Sequence, residues 1–426
     1  MGSNPVQTVA IVAAAMSLAV ALVLVLRARP RAGVLVWTIA MFFVPIWVQV
    51  NAFGVTVSAI TAVTALAVVA GGWRDARWTS IDTVIVVFVA TLLLARVLGH
   101  SESGHLRQIL FMWIIPYIWG RVILQRVPES WIAACISAAA LIVAVLAIGE
   151  FVTGVNLFLS IPGAQSSVWG GLRERAGLMR VEAGFGNSIA LGGALAISTS
   201  FVVITKWPTW LRAVVLVVIG SATVLTFSRL GILGYALTLV LAVFLLRKQA
   251  GSALRWIVVG VLVVALAGIF PVLLRIFGEA GAEAEGSADY RVDLVSLLNS
   301  MVFVGISPDH QVLATGVEYW GQFRSIDSAL ILLGLQFGLV PLAVTIVLII
   351  SLVVGVCRAP SAANVALLAQ IPAFATVALI TQYAAFVWFV AGLAVATYAL
   401  ERRRPATAGA DTASIAHRSL EGSSLF

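Results

Sequence analysis

Runs of roughly 17–25 apolar residues, one after another along almost the whole chain, leave few folds open. The first, TVAIVAAAMSLAVALVLVL at residues 8–26, carries no charge and is long enough to cross a bilayer core as a helix. Backbone groups in lipid must be satisfied within the segment, and these runs are continuous rather than alternating, so helices are expected and not a barrel. Composition agrees: 61% of the 426 residues are hydrophobic and 10% are charged, with a mean hydropathy of +1.08. Soluble domains carry about a quarter charged residues. The chain reads as an all-α, polytopic transmembrane helical bundle.

The spacing predicts helices at 8–26, 33–50, 53–70, 82–98, 107–124, 131–155, 187–205, 210–226, 230–246, 256–276, 327–351, 362–380 and 383–400, a bundle of 12–13. Residues 1–404 form one transmembrane domain in this reading. Residues 405–426, rich in Ser, Ala and Gly, form a disordered cytoplasmic tail. The net charge of +8 is almost all arginine, since only Lys206 and Lys248 are lysines. Basic residues at 27–31, 74/77, 121/126, 206, 247/248/255, 358 and 402–404 fall on one face when successive helices alternate direction. The positive-inside rule makes that face cytoplasmic and explains the charge without nucleic acid. No cleaved leader is expected, because the first run is long and its basic cluster follows it. Cys135 and Cys357 lie in or at the end of apolar runs, so no disulfide is expected.

Two long connections, 156–186 and 277–326, fall on the outer side, and loops of this length are usually functional. In the second, Leu294, Leu297, Leu298, Met301 and Val302 repeat with helical spacing, which predicts an amphipathic helix in the outer interface. The outer side also holds arginines against the positive-inside bias: Arg173, Arg175, Arg180, Arg229, Arg275, Arg291 and Arg324. Each alone fits snorkelling or an ion pair. As a group they suit a phosphate or diphosphate, which guanidinium groups hold by bidentate, charge-assisted bonds.

Asp327 opens the apolar run DSALILLGLQFGLVPL (327–342), and Arg324 stands three residues before it. Asp327 reads either as a helix N-cap or as a general base for an acceptor hydroxyl. Glu318 and His310 in the same loop are rival bases, although His310 in ISPDHQ also reads as a solvated loop residue. His100, Glu102 and His105 share the short outer loop GHSESGH, read as surface. No metal site is expected there or elsewhere, since a metal would want more ligands. GFGNSIALGG has glycines at nucleotide-loop spacing but no preceding strand, so close helix packing is expected instead.

The order of motifs in the second half resembles the O-antigen ligase and O-antigen polymerase superfamily over about residues 180–345. GFGNSIALGGALAI (184–197) resembles the family's asparagine-bearing helix start, with Asn187 at the asparagine. SRLGILG (228–234) is similar to its Ser-Arg turn, placing Arg229 at the arginine. YRVDLVSLL (290–298) matches the arginine-led opening of the large loop, placing Arg291. DSALILLGLQFGLVPL resembles the ligases' histidine-led helix with its Gly-Leu, here Gly338-Leu339. The ligase histidine is Asp327 here, the following asparagine is Ser328 and the motif tyrosine is Leu330. An acid at this position is more like the polymerase-type members.

The resemblance implies a GT-C-like inverting glycosyltransferase of the bacterial cytoplasmic membrane, active at its outer face without metal or other cofactor. Its donor would be a polyprenyl-diphosphate-linked oligosaccharide and its acceptor a sugar hydroxyl. Arg229 and Arg291, helped by Arg173 or Arg175, would hold the diphosphate. Asp327 would take the acceptor's proton with Arg324 beside it, and Arg180, Asn187, Glu318 and His310 would line the substrate. A polymerase-like role is favoured over a lipid A ligase. A polyprenyl-linked glycan flippase or other transporter is the alternative, and a membrane scaffold the third.

Overall fold

The computed structural model describes residues 5–52, 55–72, 76–163, 174–175, 177–279, 290, 293–313, 318–323 and 326–402. The candidate tail, 405–426, lies outside them. The helices are α1 Pro5–Ala28, α2 Pro30–Phe43, α3 Ala59–Ala70, α4 Ser80–Val97, α5 Ser103–Ile109, α6 Ile115–Ile123 and α7 Glu129–Thr153. They continue with α8 Ser188–Ile204, α9 Thr209–Leu225, α10 Arg229–Leu245, α11 Arg247–Glu279, α12 Ala329–Phe337 and α13 Leu339–Arg358. The last are α14 Ala362–Ala369, α15 Ile371–Thr376 and α16 Gln382–Glu401. Among the described residues there are also three short antiparallel hairpins: β1 Gln49–Ala52 with β2 Val55–Ser58, β3 Glu174–Arg175 with β4 Leu178–Met179, and β5 His310–Val312 with β6 Glu318–Trp320.

The protein is therefore helical, as expected, but several of the expected helices, among them 33–50, 53–70, 327–351 and 362–380, are shortened or divided. Among the described residues, four helices, α4, α7, α13 and α16, are long and apolar enough to cross a membrane, and a fifth span arises if α10 and the first part of α11, bent by 120°, count as one. Large apolar side chains stay exposed on these helices, among them Val86, Leu94, Ile142, Val145, Ile346, Val347 and Ile350. Such a surface suits lipid rather than water.

Local chemistry explains where runs break. The expected helix 33–50 stops at Phe43, because Pro45 disfavours a helical residue before it. Residues 49–52 then pair with 55–58, and Ser58 caps α3 by accepting from the Thr61 amide at 3.3 Å. The expected helix 362–380 divides at Gln370 into α14 and α15. The expected helix 327–351 divides at Gly338, whose φ is +94°. Backbone from the 277–326 connection fills that break: the Gly305 amide donates to Phe337 O (2.9 Å), Ser307 to Leu335 O (2.7 Å), Leu339 to Val302 O and Val340 to Phe303 O. Groups a continuous helix would have satisfied are thus satisfied by a strand-like insertion.

The leucine stripe predicted to lie in the interface is used differently. Residues 293–300 are helical, but Leu294, Leu297 and Met301 are buried against Trp320, Phe323, Ile326 and Leu335. Val295, Leu298 and Phe303 face outward. Leu294, Leu297 and Met301 thus seal the loop onto α12, while Leu298 of the same stripe faces outward.

Small residues set the bundle core. α8 is buried along nearly its whole length and packs against α7, α9, α10, α14 and α16. Where α6 crosses α16, a Cβ on Gly120 would stand 2.0 Å from Phe389 O, and one on Gly392 would stand 2.1 Å from Tyr117 O. Only glycine lets these backbones meet. At one end of the bundle the basic turns gather. Arg126 donates to Arg27 O and Ala70 O, Trp131 to Arg31 O, and Arg121 to Arg77 O and the buried carboxylate of Asp82. Asp82 also closes a capping box with Thr79 at the start of α4.

Candidate functional site

At the other end, long-range hydrogen bonds tie the remaining connections into one layer. The Val181 amide donates to Leu225 O, Ile46 to Gly184 O, Ala329 to Val377 O and Ile306 to His100 O, and the Gln382 side chain donates to Met41 O. Both long loops expected on the outer side belong to this layer where they are described.

The turn between α9 and α10 is its first centre. Phe227 sits at φ +46° and reverses the chain, Thr226 Oγ1 accepts from the Ser228 amide, and Ser228 caps α10 by accepting from Gly231 N at 3.1 Å. Two arginines from the 156–186 connection close on the end of α9: Arg180 Nε donates to Thr226 O at 3.0 Å and Arg175 Nη1 to Phe227 O at 2.9 Å. Cations at a helix C-terminus complement its dipole. Arg229 does the reverse. It is the first residue of α10, exposed, at the positive end of a helix dipole. The helix gains nothing from a cation there, whereas an anion beside it would be favoured by both.

Glu150, near the end of α7, fixes the loop that brings these arginines in. Its buried carboxylate accepts from the amides of Glu182 (3.1 Å) and Ala183 (2.9 Å) and from Asn156 Nδ2 (3.2 Å). Ala183 is held at φ +45°. Asn187 is spent as the N-cap of α8, its Oδ1 accepting from Ile189 N at 2.8 Å and Ala190 N at 3.3 Å. Its position is thus explained by helix capping.

The second centre lies where the 277–326 connection meets the loop after α4. His105 is buried rather than on the surface, because the β5–β6 hairpin covers it. Its Nε2 is 2.9 Å and 3.1 Å from the two carboxylate oxygens of Glu318. His310 is also mostly buried instead of solvated, with its ring 5.0 Å from that of Trp320 and its Nε2 4.0 Å from Glu318 Oε2. The hydrogen bond from His105 holds the Glu318 carboxyl below its ordinary range; burial opposes this and the charges of His105 and His310 assist.

Asp327 follows both centres in sequence and is exposed. The capping role anticipated for it belongs to its neighbour: Ser328 accepts from Ile331 N at 3.3 Å and starts α12. Burial raises the Tyr290 hydroxyl pKa, and the Asp327 charge raises it further, which brings the two side chains into electrostatic range. Tyr290 itself packs edge-on against Phe323 at 5.4 Å. Arg173, Arg291 and Arg324 lie outside the described residues.

Among the described residues, the structure brings Arg175, Arg180 and Arg229 to one turn, and it sets His310 Nε2 4.0 Å from the Glu318 carboxylate, which is hydrogen-bonded to His105. Sequence reasoning missed His105, Glu150 and Tyr290. For His105 and Glu318 the one available signal was their shared outer-side assignment; for Glu150 there was none. Comparison of the chain with family models, with curated proteins and with solved structures returned no match.

Proposed function

We propose that this protein is a membrane glycosyltransferase of the O-antigen ligase/polymerase type. It takes oligosaccharide from a polyprenyl diphosphate and joins it to a sugar hydroxyl at the outer face of a bacterial cytoplasmic membrane, with a polymerase-like role favoured. The supporting observation is the convergence of Arg175, Arg180 and Arg229 on the 225–229 turn, with Arg229 the first residue of α10, at the positive end of its dipole. In this reading the helices form a GT-C-like bundle of 12–13 elements, the short ones completing spans in pairs.

The acceptor oxygen attacks the anomeric carbon of the donor, the bond from that carbon to the diphosphate breaks, and the configuration inverts. Asp327 receives the acceptor's proton; Ser328 carries the cap, so the carboxylate need not serve the helix. Arg229 and Arg291, helped by Arg173 or Arg175, stabilise the charge that grows on the departing diphosphate. That interaction strengthens toward the transition state and so speeds the reaction as well as binding.

The flippase or transporter reading draws on the 120° bend after α10 and the break at Gly338, since transporters place substrate at broken helices. The Gly338 break, however, is filled by the chain's own backbone. Purified protein in detergent, given a lipid-diphosphate-linked oligosaccharide and an acceptor, is expected to yield joined glycan. No product there, with transport of the lipid-linked glycan in vesicles, would establish the alternative.

A further inference from the structure

The group Glu102, His105, His310 and Glu318 has a composition that the arginine site does not use. We propose that it is a divalent-metal site for Zn2+ or a similar nitrogen- and oxygen-preferring cation. The proposal stands whether or not the protein transfers glycan. Its ligand atoms come from two segments far apart in sequence, the loop after α4 and the β5–β6 hairpin.

Two imidazoles and two carboxylates are the donor set such a cation takes. Donor atoms of Glu102, His105 and Glu318 lie within 4.8 Å of one another. His105 Nε2 is 2.9 Å from Glu318 Oε2, and His310 Nε2 is 4.0 Å from that same oxygen. In a tetrahedral site with bonds of about 2.0–2.2 Å, neighbouring ligand atoms stand roughly 3.3–3.5 Å apart. The 2.9 Å and 4.0 Å separations bracket that value; His310 lies outside the three-residue group, so its side chain must move further than the others to bind.

Two further observations separate this cluster from an ordinary ion pair. The His310 side chain is 10% exposed, and its Nε2 accepts or donates no hydrogen bond although it faces the Glu318 carboxylate. A buried ring nitrogen without a partner is costly, and a metal ion would supply one. His105 Nδ1 is likewise without a hydrogen bond, so protein groups alone do not satisfy both nitrogens of that ring. Glu102 occupies the N-cap position of α5, yet its side chain makes no capping bond and is left to act as a ligand. A metal here would staple the 277–326 connection, with Tyr290 and Asp327 at its end, to the loop after α4.

Tag-free protein in detergent, stripped with chelator, is titrated with Zn2+ alone by calorimetry and then with Co2+ while the visible spectrum is followed. One equivalent should bind, with the intense Co2+ absorption of a tetrahedral site. Glu102→Gln alters an exposed side chain, and His310→Asn removes no hydrogen bond of the His310 ring Nε2, so both should fold. Each is expected to weaken Zn2+ binding by about tenfold or more, the scale at which even outer-sphere partners of a metal matter. No saturable binding in the wild type would overturn the proposal, and so would binding that both variants leave unchanged.

Discussion

His105 Nε2 lies 2.9 Å from Glu318 Oε2 across 213 residues of sequence, joining the loop after α4 to the hairpin of the long connection. In chelated protein this contact makes stability pH-dependent with a defined sign. The folded protein holds the Glu318 carboxyl below its ordinary value. Its contribution is therefore complete above the unfolded-state pKa and is lost as pH falls through the lower folded value. Melting temperatures taken between neutral and strongly acidic pH should show wild type above Glu318→Gln at neutrality, with the gap closing in acid. A gap independent of pH would refute the coupling.

Ser328 and Asp327 separate a cap from a base. Ser328→Ala should lower stability by about 1 kcal/mol, the usual cost of losing an N-cap, without abolishing transfer. Asp327→Asn should leave the melting curve nearly unchanged and remove glycan transfer in the detergent assay. Full activity in Asp327→Asn would show that the proton goes elsewhere.

Arg180 and Arg229 should respond oppositely. Arg180→Ala removes a charged donor from Thr226 O and should cost about 1.5–3 kcal/mol. Arg229→Ala removes a cation from the positive end of α10, so stability should change by less than about 1 kcal/mol, while transfer falls below detection. Inorganic diphosphate should inhibit the wild type, and weak inhibition of any residual Arg229→Lys activity would match the loss of bidentate geometry.

Gly338→Val tests the filled helix break. A β-branched residue at φ +94° costs on the order of 1–3 kcal/mol in backbone strain. Its Cβ would also stand 2.8 Å from the carbonyl oxygens of Val302 and Phe303. The expected result is faster proteolysis within residues 293–313 and a lowered melting temperature, with α4, α7 and α16 still inserted. Unchanged protease resistance would mean that the loop does not depend on this insertion.

Some of this was legible from sequence because it depends on residues close together in the chain. Apolar runs declare helices, and the alternation of basic turns gathers Arg27, Arg77, Arg121 and Arg126 at one end. The same alternation is what assigns Arg175, Arg180 and Arg229 to the outer side as an expectation. What sequence could not supply was who meets whom at that end. An apolar run looks the same whether it is one helix or two, so the division at Gly338 became visible only with the 302–307 backbone lying in it. Polar residues in loops look solvated until something covers them, which is why His105, expected on the surface, is buried, and His310, open to reading as a solvated loop residue, is largely covered. The capping hydrogen bond went to Ser328 and not Asp327 because one residue's shift in backbone conformation decides which oxygen reaches the Ile331 amide. The sequence by itself determined a helical membrane protein with misplaced arginines; tertiary contact between segments two hundred residues apart decided where those charges and imidazoles meet.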